Sequence, residues 1–306
     1  MKNQLFLFVF TLLAISLSAQ PVEEVQKEVA DLSEFEQNMI QYGKAILTDT
    51  LVENRKKAHK DLGVELMANL SKKGSFFYPF DSVQSISIQY PSDTSFRIIT
   101  WQLYVDINEY QYAGFIQTNE EQPKVIKLSD KSVDMDDVIL DFEIMTADNW
   151  YGAIYYNIMS FDTPEGTKHL LFGYDGFHFF NKRKIIDVLT FENGTPIFGA
   201  AVFAPLDPRR TDLTKNRVLM QYAAGSNITL NFNKELDMIM FDNLIPHSNM
   251  GGQPSYVPDG SYRGYKLKDG QWVFVDKVFD HVYESAPRPA PVLGKGRKVD
   301  IMGRKQ

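Results

Sequence analysis

Apolar residues recur along the chain at two different periods, and the change between them divides it. Val22, Val25, Val29, Leu32, Phe35, Met39, Tyr42 and Ile46 follow one another at spacings of three and four, with Glu and Lys between them. On a helix with 3.6 residues per turn that spacing gathers them on one side. A second stripe, Leu51, Ala58, Leu62, Leu66, Met67 and Leu70, starts after Asp49 and Thr50, either of which suits a helix N-cap, and stops at Lys72-Lys73-Gly74. The pattern predicts a helical pair within residues 20–74 that covers a face or an open end of whatever follows. Neither stripe holds a strict heptad, which argues against a coiled-coil arm.

From Ser75 the period becomes two. Segments 83–90, 96–105, 110–117 and 124–128 read as a first meander, with Ile99, Trp101, Leu103 and Val105 on one face and Gln102 and Tyr104 on the other. Segment 151–161 follows, then the stretch around which the pattern is densest, 168–203. There apolar runs meet at Asp175-Gly176 and Asn193-Gly194, pairs suited to the positive φ of tight hairpin turns. Segments 217–223, 228–232 and 236–241 add short strands. Gly, Asn and Pro in 246–258 predict a surface loop, Pro258-Asp259-Gly260 a turn into 262–267, and Asp269-Gly270 a last hairpin with 272–278.

Connections this local, without long helical crossovers, imply antiparallel pairing. The expected fold class is mainly β (α+β): antiparallel meanders forming a sandwich or curved half-barrel over residues 75–283, preceded by the N-terminal helical pair. Apolar runs that end on Trp101, Tyr174 and Tyr222 form a loose theme, but their unequal spacing disfavours a propeller.

The two ends change the setting. Lys2, the apolar run 5–17 and Ser18-Ala19 read as a signal peptide over residues 1–19, its core shorter than the ~20 residues of a membrane span. No later segment reads as a span, so a periplasmic or secreted chain without an integral membrane span is expected after cleavage. Residues 284–306 carry six Lys or Arg against Glu284 and Asp300, a local net charge of +4, together with Pro287, Pro289 and Pro291. A basic disordered tail is expected there, suited to anionic envelope surfaces. The whole chain has a formal charge of −7, which argues against nucleic acid as a partner. It has no cysteine, so disulfides, thiol nucleophiles and Cys-based metal sites are excluded.

Candidate chemistry is sparse. Asp130, Asp134, Asp136, Asp137, Asp141, Glu143 and Asp148 crowd residues 129–149 and offer oxygen ligands of the kind Ca²⁺ takes. The alternation and central Gly of an EF-hand are missing, however, and a solvated loop with a short helix is the plainer expectation. His59, His169, His178, His247 and His281 show no HExxH or HxH spacing. Neither G-x-S-x-G nor a Gly-rich phosphate loop occurs. Glycoside hydrolysis needs two carboxyl groups roughly 5–10 Å apart across a cleft, and Asp106, Asp175, Asp187 and Asp242 are the possible members. Turn positions already account for Asp106 and Asp175, and pairing with Lys184 for Asp187. Tyr110, Tyr112, Tyr155, Tyr156, Tyr262 and Tyr265 could line a sugar-binding groove or simply bury their rings in strands. No catalytic, cofactor-binding or metal-binding residue is assigned, and no cofactor is expected.

The runs T-W-Q-L-Y-V-D at 100–106, W-Y-G-A at 150–153, R-K-I-I-D-V-L at 183–189, Phe198-Gly199 and Y-V-P-D-G-S-Y at 256–262 resemble an uncharacterised family of exported proteins from Bacteroidetes. The resemblance extends over residues 76–278. It implies an envelope or secreted setting and supplies no activity, so no functional residue comes with it. The C-terminus does not resemble the folded sorting domain of that group's dedicated secretion system, which favours the periplasm. The expected function is an exported, non-catalytic binding or envelope-assembly protein whose partner is an envelope protein, a glycan or a lipid. Two alternatives stand beside it: a periplasmic carrier of an apolar or lipid ligand, and a glycan hydrolase using paired carboxylates. An enclosed apolar void would favour the carrier, and a polar cleft with facing carboxylates the hydrolase.

Overall fold

The structure, a computed structural model, describes residues 22–207, 209–250 and 252–279. The expected signal peptide (1–19) and basic tail (284–306) lie outside them. Helices α1 (Val22–Thr48) and α2 (Val52–Leu70) are joined by three residues, where the Leu51 N–H donates to Asp49 Oδ1 at 2.8 Å. Three sheets follow. The first is β1 (Ile86–Gln89), β2 (Phe96–Asp106), β3 (Glu109–Thr118) and β4 (Val125–Ser129), in that order.

The second sheet contains β5 (Met145–Thr146), β6 (Ile154–Thr163), β7 (Gly166–Asp175), β8 (Asn181–Glu192), β9 (Thr195–Phe198) and β10 (Val218–Ala223). Its order is β5-β9-β8-β7-β6, and β10 pairs with the first half of β8. The third is β11 (Leu230–Asn233), β12 (Met238–Met250), β13 (Gln253–Lys268) and β14 (Gln271–Val275), again in chain order. Every pairing between these strands is antiparallel. The meanders are therefore stacked open sheets; among the described residues no sheet closes into a barrel.

Three apolar cores set the stacking. Met39, Ile46, Leu62, Leu66 and Leu70 of the helices pack on Ile99, Trp101 and Phe115 of the first sheet. The other face of that sheet, through Phe96, Ile98, Tyr112 and Ile116, meets Tyr155, Leu171, Ile185 and Leu189 of the second. The far face of the second sheet, through Leu170, Phe172, Ile186 and Val188, meets Ile239, Phe241 and Trp272 of the third. The result is four layers, helices on three sheets, and the helical pair covers one face as expected. Two sheets are buried on both faces, so the alternation read in 96–105 is only partial: β2 is buried without interruption from Phe96 to Trp101. Each such side chain removed from water contributes about 1.5–3 kcal/mol.

Turn chemistry holds at two hairpins and fails at two others. Asn193-Gly194 has φ of 52° and 81°, and Asp269-Gly270 φ of 51° and 79°, the paired positive values of a two-residue turn. Asp175-Gly176 is not such a turn. Strand β7 ends at Asp175 and β8 starts at Asn181, leaving a five-residue loop 176–180, because the Asp175 carboxylate is buried as an acceptor instead of capping a turn. The expected surface loop 246–258 is not one either, since 246–250 belong to β12 and 253–258 to β13, which pair as an arm. Along that arm β12 has passed its partner β11 and β13 has not reached β14, so among the described residues no strand pairs with either outer edge and Pro246, Pro254 and Pro258 forfeit no ladder bond there. The turn read at Pro258-Asp259-Gly260 is a bulge inside β13. Register jumps there from Asp242↔Tyr262 to Leu244↔Pro258, Gly260 has φ of 86°, and the Asp259 carboxylate accepts from the N–H and hydroxyl of Ser261.

Candidate functional site

A cleft of about 520 Å³ opens where the β2–β3 turn, the acidic segment 129–149 and loop 176–180 meet. Asp106, Glu109, Tyr110, Asp137, Tyr151 and Arg183 are among its lining residues, with Asp175 and Phe177 beside them. Its floor is built on Asp175, at the last position of β7, with 4% of its surface exposed. The Tyr112 hydroxyl donates to Asp175 Oδ1 at 2.8 Å and the Tyr151 hydroxyl to Oδ2 at 2.6 Å. The Phe177 N–H adds a third bond, at 2.7 Å to Oδ1, and the Gly176 N–H donates back to the Tyr112 hydroxyl at 2.7 Å. One carboxylate thus fixes the start of the loop, a ring on β3 and a ring in the segment that leads into β6.

Arg183 forms the adjoining wall. Both Nη atoms donate to the Asp137 carboxylate, Nε donates to Gln221 Oε1 at 3.2 Å, and the guanidinium lies 3.4 Å from the centroid of the Phe177 ring. Phe177 holds this position with φ of 46°, a backbone state that non-glycine residues seldom adopt. Lys182 crosses beneath the loop and donates to the carbonyls of Gly176 at 2.8 Å and His178 at 3.1 Å.

Burial dominates the electrostatics. It raises the Asp175 carboxyl above its ordinary range, although Tyr151, Tyr112, the Phe177 N–H and Arg183 all favour the ionised form. Burial also lifts the Tyr112 and Tyr151 hydroxyls well above theirs, and the Asp175 charge adds to it. For Arg183 burial opposes the charge, but Tyr151 and Asp137 outweigh it and the guanidinium is held more firmly protonated than usual. Burial lowers Lys182.

The cleft carboxylates are occupied. Asp175 and Asp137 are bonded as above, Asp106 Oδ1 accepts from the Asn108 N–H at 2.8 Å, and Glu109 Oε1 accepts from Gln111 Nε2 at 2.8 Å. Asp106 and Asp175 therefore share a cleft, as a hydrolytic pair would require. Asp175, however, is enclosed by donors on both oxygens, which suits a fixed acceptor better than a nucleophile or a proton shuttle.

The other sequence candidates disperse. Asp187 is not paired with Lys184; its Oδ1 is 3.1 Å from Arg217 Nε, while Lys184 donates to the Ile228 carbonyl. Asp242 caps the Thr229 N–H at the start of β11. Of the six tyrosines, Tyr110 lines the cleft. Tyr112 and Tyr155 are buried partners of Asp175 and Asp187, Tyr156 donates to the Leu230 carbonyl at 2.6 Å, Tyr265 packs among Phe203, Phe241 and Phe274, and Tyr262 meets Phe279.

The acidic segment is mostly tied down. Asp130 accepts the N–H groups of Tyr112 and Ser132, Asp141 pairs with Lys215 at 2.6 Å, and Asp137 pairs with Arg183. Among the described residues no three His, Asp or Glu side chains are grouped so as to hold a metal ion. The histidines are equally scattered: His59 lies against Trp101, His169 Nδ1 is 2.9 Å from Ser160 Oγ, and His178 sits in loop 176–180. His281 is outside the described residues. Tyr151 and Arg183 were not singled out as site residues from sequence, and Asp137 was weighed only as an oxygen ligand of the acidic segment. An isolated Arg beside Lys182 and Lys184 on a strand gives no sign of the cleft, which forms only when segment 129–149 folds across β8.

No helix among the described residues is long and apolar enough to cross a membrane. The chain matches no family model, no curated protein and no solved structure.

Proposed function

We propose that the protein is an exported, non-catalytic binding protein whose ligand, a polar and hydroxyl-rich glycan of the cell envelope, occupies the cleft over Asp175. The observation that carries this reading is the saturation of Asp175 by the Tyr112 and Tyr151 hydroxyls and the Phe177 N–H. It makes the cleft a rigid floor whose acid is already spent, and binding without reaction is what such a floor serves best. The lining favours a polar ligand over a lipid: carboxylates and the Asn108 amide accept and donate, and Tyr110 offers a ring. Export rests on the signal-like residues 1–19.

The hydrolase is the second reading, favoured by Asp106 and Asp175 lining one cleft. Titrating the protein with neutral and acidic oligosaccharides while assaying the mixtures for cleavage separates the two. The binding reading expects saturable heat and unchanged chain lengths. Cleavage that disappears in Asp175→Asn would establish the hydrolase instead.

A further inference from the structure

The β2–β3 turn sets two carboxylates against each other at the cleft. Asp106 and Glu109 are cross-strand partners on either side of Ile107-Asn108, and both line the cleft over Asp175. Like charges directly opposite one another on an antiparallel pair are destabilising. Each carboxylate is met by a neutral donor, the Asn108 N–H for Asp106 and the Gln111 amide for Glu109, and neither forms an ion pair among the described residues. Their repulsion is left for something outside the chain to relieve.

The neighbouring cations are committed elsewhere. Arg183 is 4% exposed, with both Nη atoms on Asp137 and its guanidinium on the Phe177 ring, and Lys182 is held by the carbonyls of Gly176 and His178. What the cleft turns toward a ligand is therefore a negative edge, beside the half-buried ring of Tyr110. Carboxylates and the face of an aromatic ring are both complementary to an ammonium group. A uronic acid or a sulfated sugar would meet repulsion there and no uncommitted cation among the described lining residues.

Resting on the glycan reading above, we infer that the ligand is an amino sugar with a free amine, its ammonium held between Asp106 and Glu109 and its ring packed against Tyr110. Calorimetric titration with short β-1,4-linked glucosamine oligomers and with their fully N-acetylated counterparts, at a pH where the free amines are charged, tests it. The free-amine series should bind the unsubstituted chain about tenfold more tightly, and added salt should shrink that advantage. In a variant carrying Asp106→Asn and Glu109→Gln the two affinities should converge, while the melting temperature stays level or rises because the like charges have gone. Equal affinity for the two series in the unsubstituted chain would overturn the inference and leave the glycan reading standing. So would an advantage that survives in the double variant. Trilysine binding as tightly as the free-amine series would overturn it in favour of a basic peptide. No heat from either series, nor from neutral or acidic oligosaccharides, would remove the glycan reading itself and the inference with it.

Discussion

Arg217 Nε lies 3.1 Å from Asp187 Oδ1, with both side chains wholly removed from solvent. Arg217 also donates to the carbonyls of Leu140, Glu143 and Phe198, so the pair pins segment 129–149, one wall of the cleft, to the second sheet. Removing the acid leaves a buried guanidinium without its counter-charge, which costs about 3–5 kcal/mol. Asp187→Ala should lower unfolding stability by that amount in a urea titration. A loss under 1 kcal/mol would show that the three carbonyls alone hold Arg217.

The tyrosine hydroxyls on Asp175 should matter separately from their rings. Tyr112→Phe and Tyr151→Phe each leave one carboxylate oxygen short of a donor in a buried place, at a cost of about 1–3 kcal/mol. Tyr112→Phe should cost no less than Tyr151→Phe: Oδ1 keeps the Phe177 N–H, but the buried Gly176 N–H also loses the Tyr112 hydroxyl that accepts it. Thermal melts of the two variants check the order.

Acid should act on the helical layer through His59. Burial against Trp101 lowers its pKa from 6.5 to about 4. Between those values the unfolded chain binds the proton and the folded chain does not, so stability is complete above pH 6.5 and falls as pH drops toward 4. At 1.36 kcal/mol per unit the loss approaches about 3 kcal/mol. His59→Leu should flatten the pH dependence of the urea midpoint in that window. Asp175 has the opposite sign: with its pKa raised by burial, the folded chain holds the proton longer, and stability falls as pH rises from the ordinary carboxylate range through the raised value. Asp175→Asn should remove that descending part and leave the His59 part in place.

Two glycines with open space around them should respond in opposite ways. Gly194 has φ of 81° and nothing within 4 Å of an added Cβ, so Gly194→Ala tests backbone strain alone and should cost about 1 kcal/mol. Gly225 is equally unobstructed but is not in the positive-φ region. Gly225→Ala should be neutral or stabilise by about 0.4–1 kcal/mol, by restricting the unfolded chain. Paired melts of the two variants decide it.

The strands and the helical stripes were legible because period and turn residues are local properties. Asn193-Gly194 and Asp269-Gly270 fixed two hairpins, and the positions of Leu62, Leu66 and Leu70 gave the buried side of α2. Layering was not legible, since Ile98 and Ile99 point to different cores and nothing nearby in sequence says that both faces will be covered. The site was hidden for a related reason. Asp175-Gly176 carries the signature of a tight turn, and only Tyr112 and Tyr151, 63 and 24 residues earlier, convert its acid into a buried acceptor. Prolines 246, 254 and 258 suggested a loop because sequence does not reveal that the strands bearing them have outer edges left unpaired by any described strand.

Calorimetric titration of envelope-derived oligosaccharides into the unsubstituted chain and into Glu109→Ala tests the central claim most directly. Glu109 stands on the cleft wall bonded to Gln111, so its removal should spare the fold. The account predicts saturable binding with intact oligosaccharides recovered, weakened about tenfold by Glu109→Ala. Shortened oligosaccharides, or affinity indifferent to the cleft substitution, would contradict it.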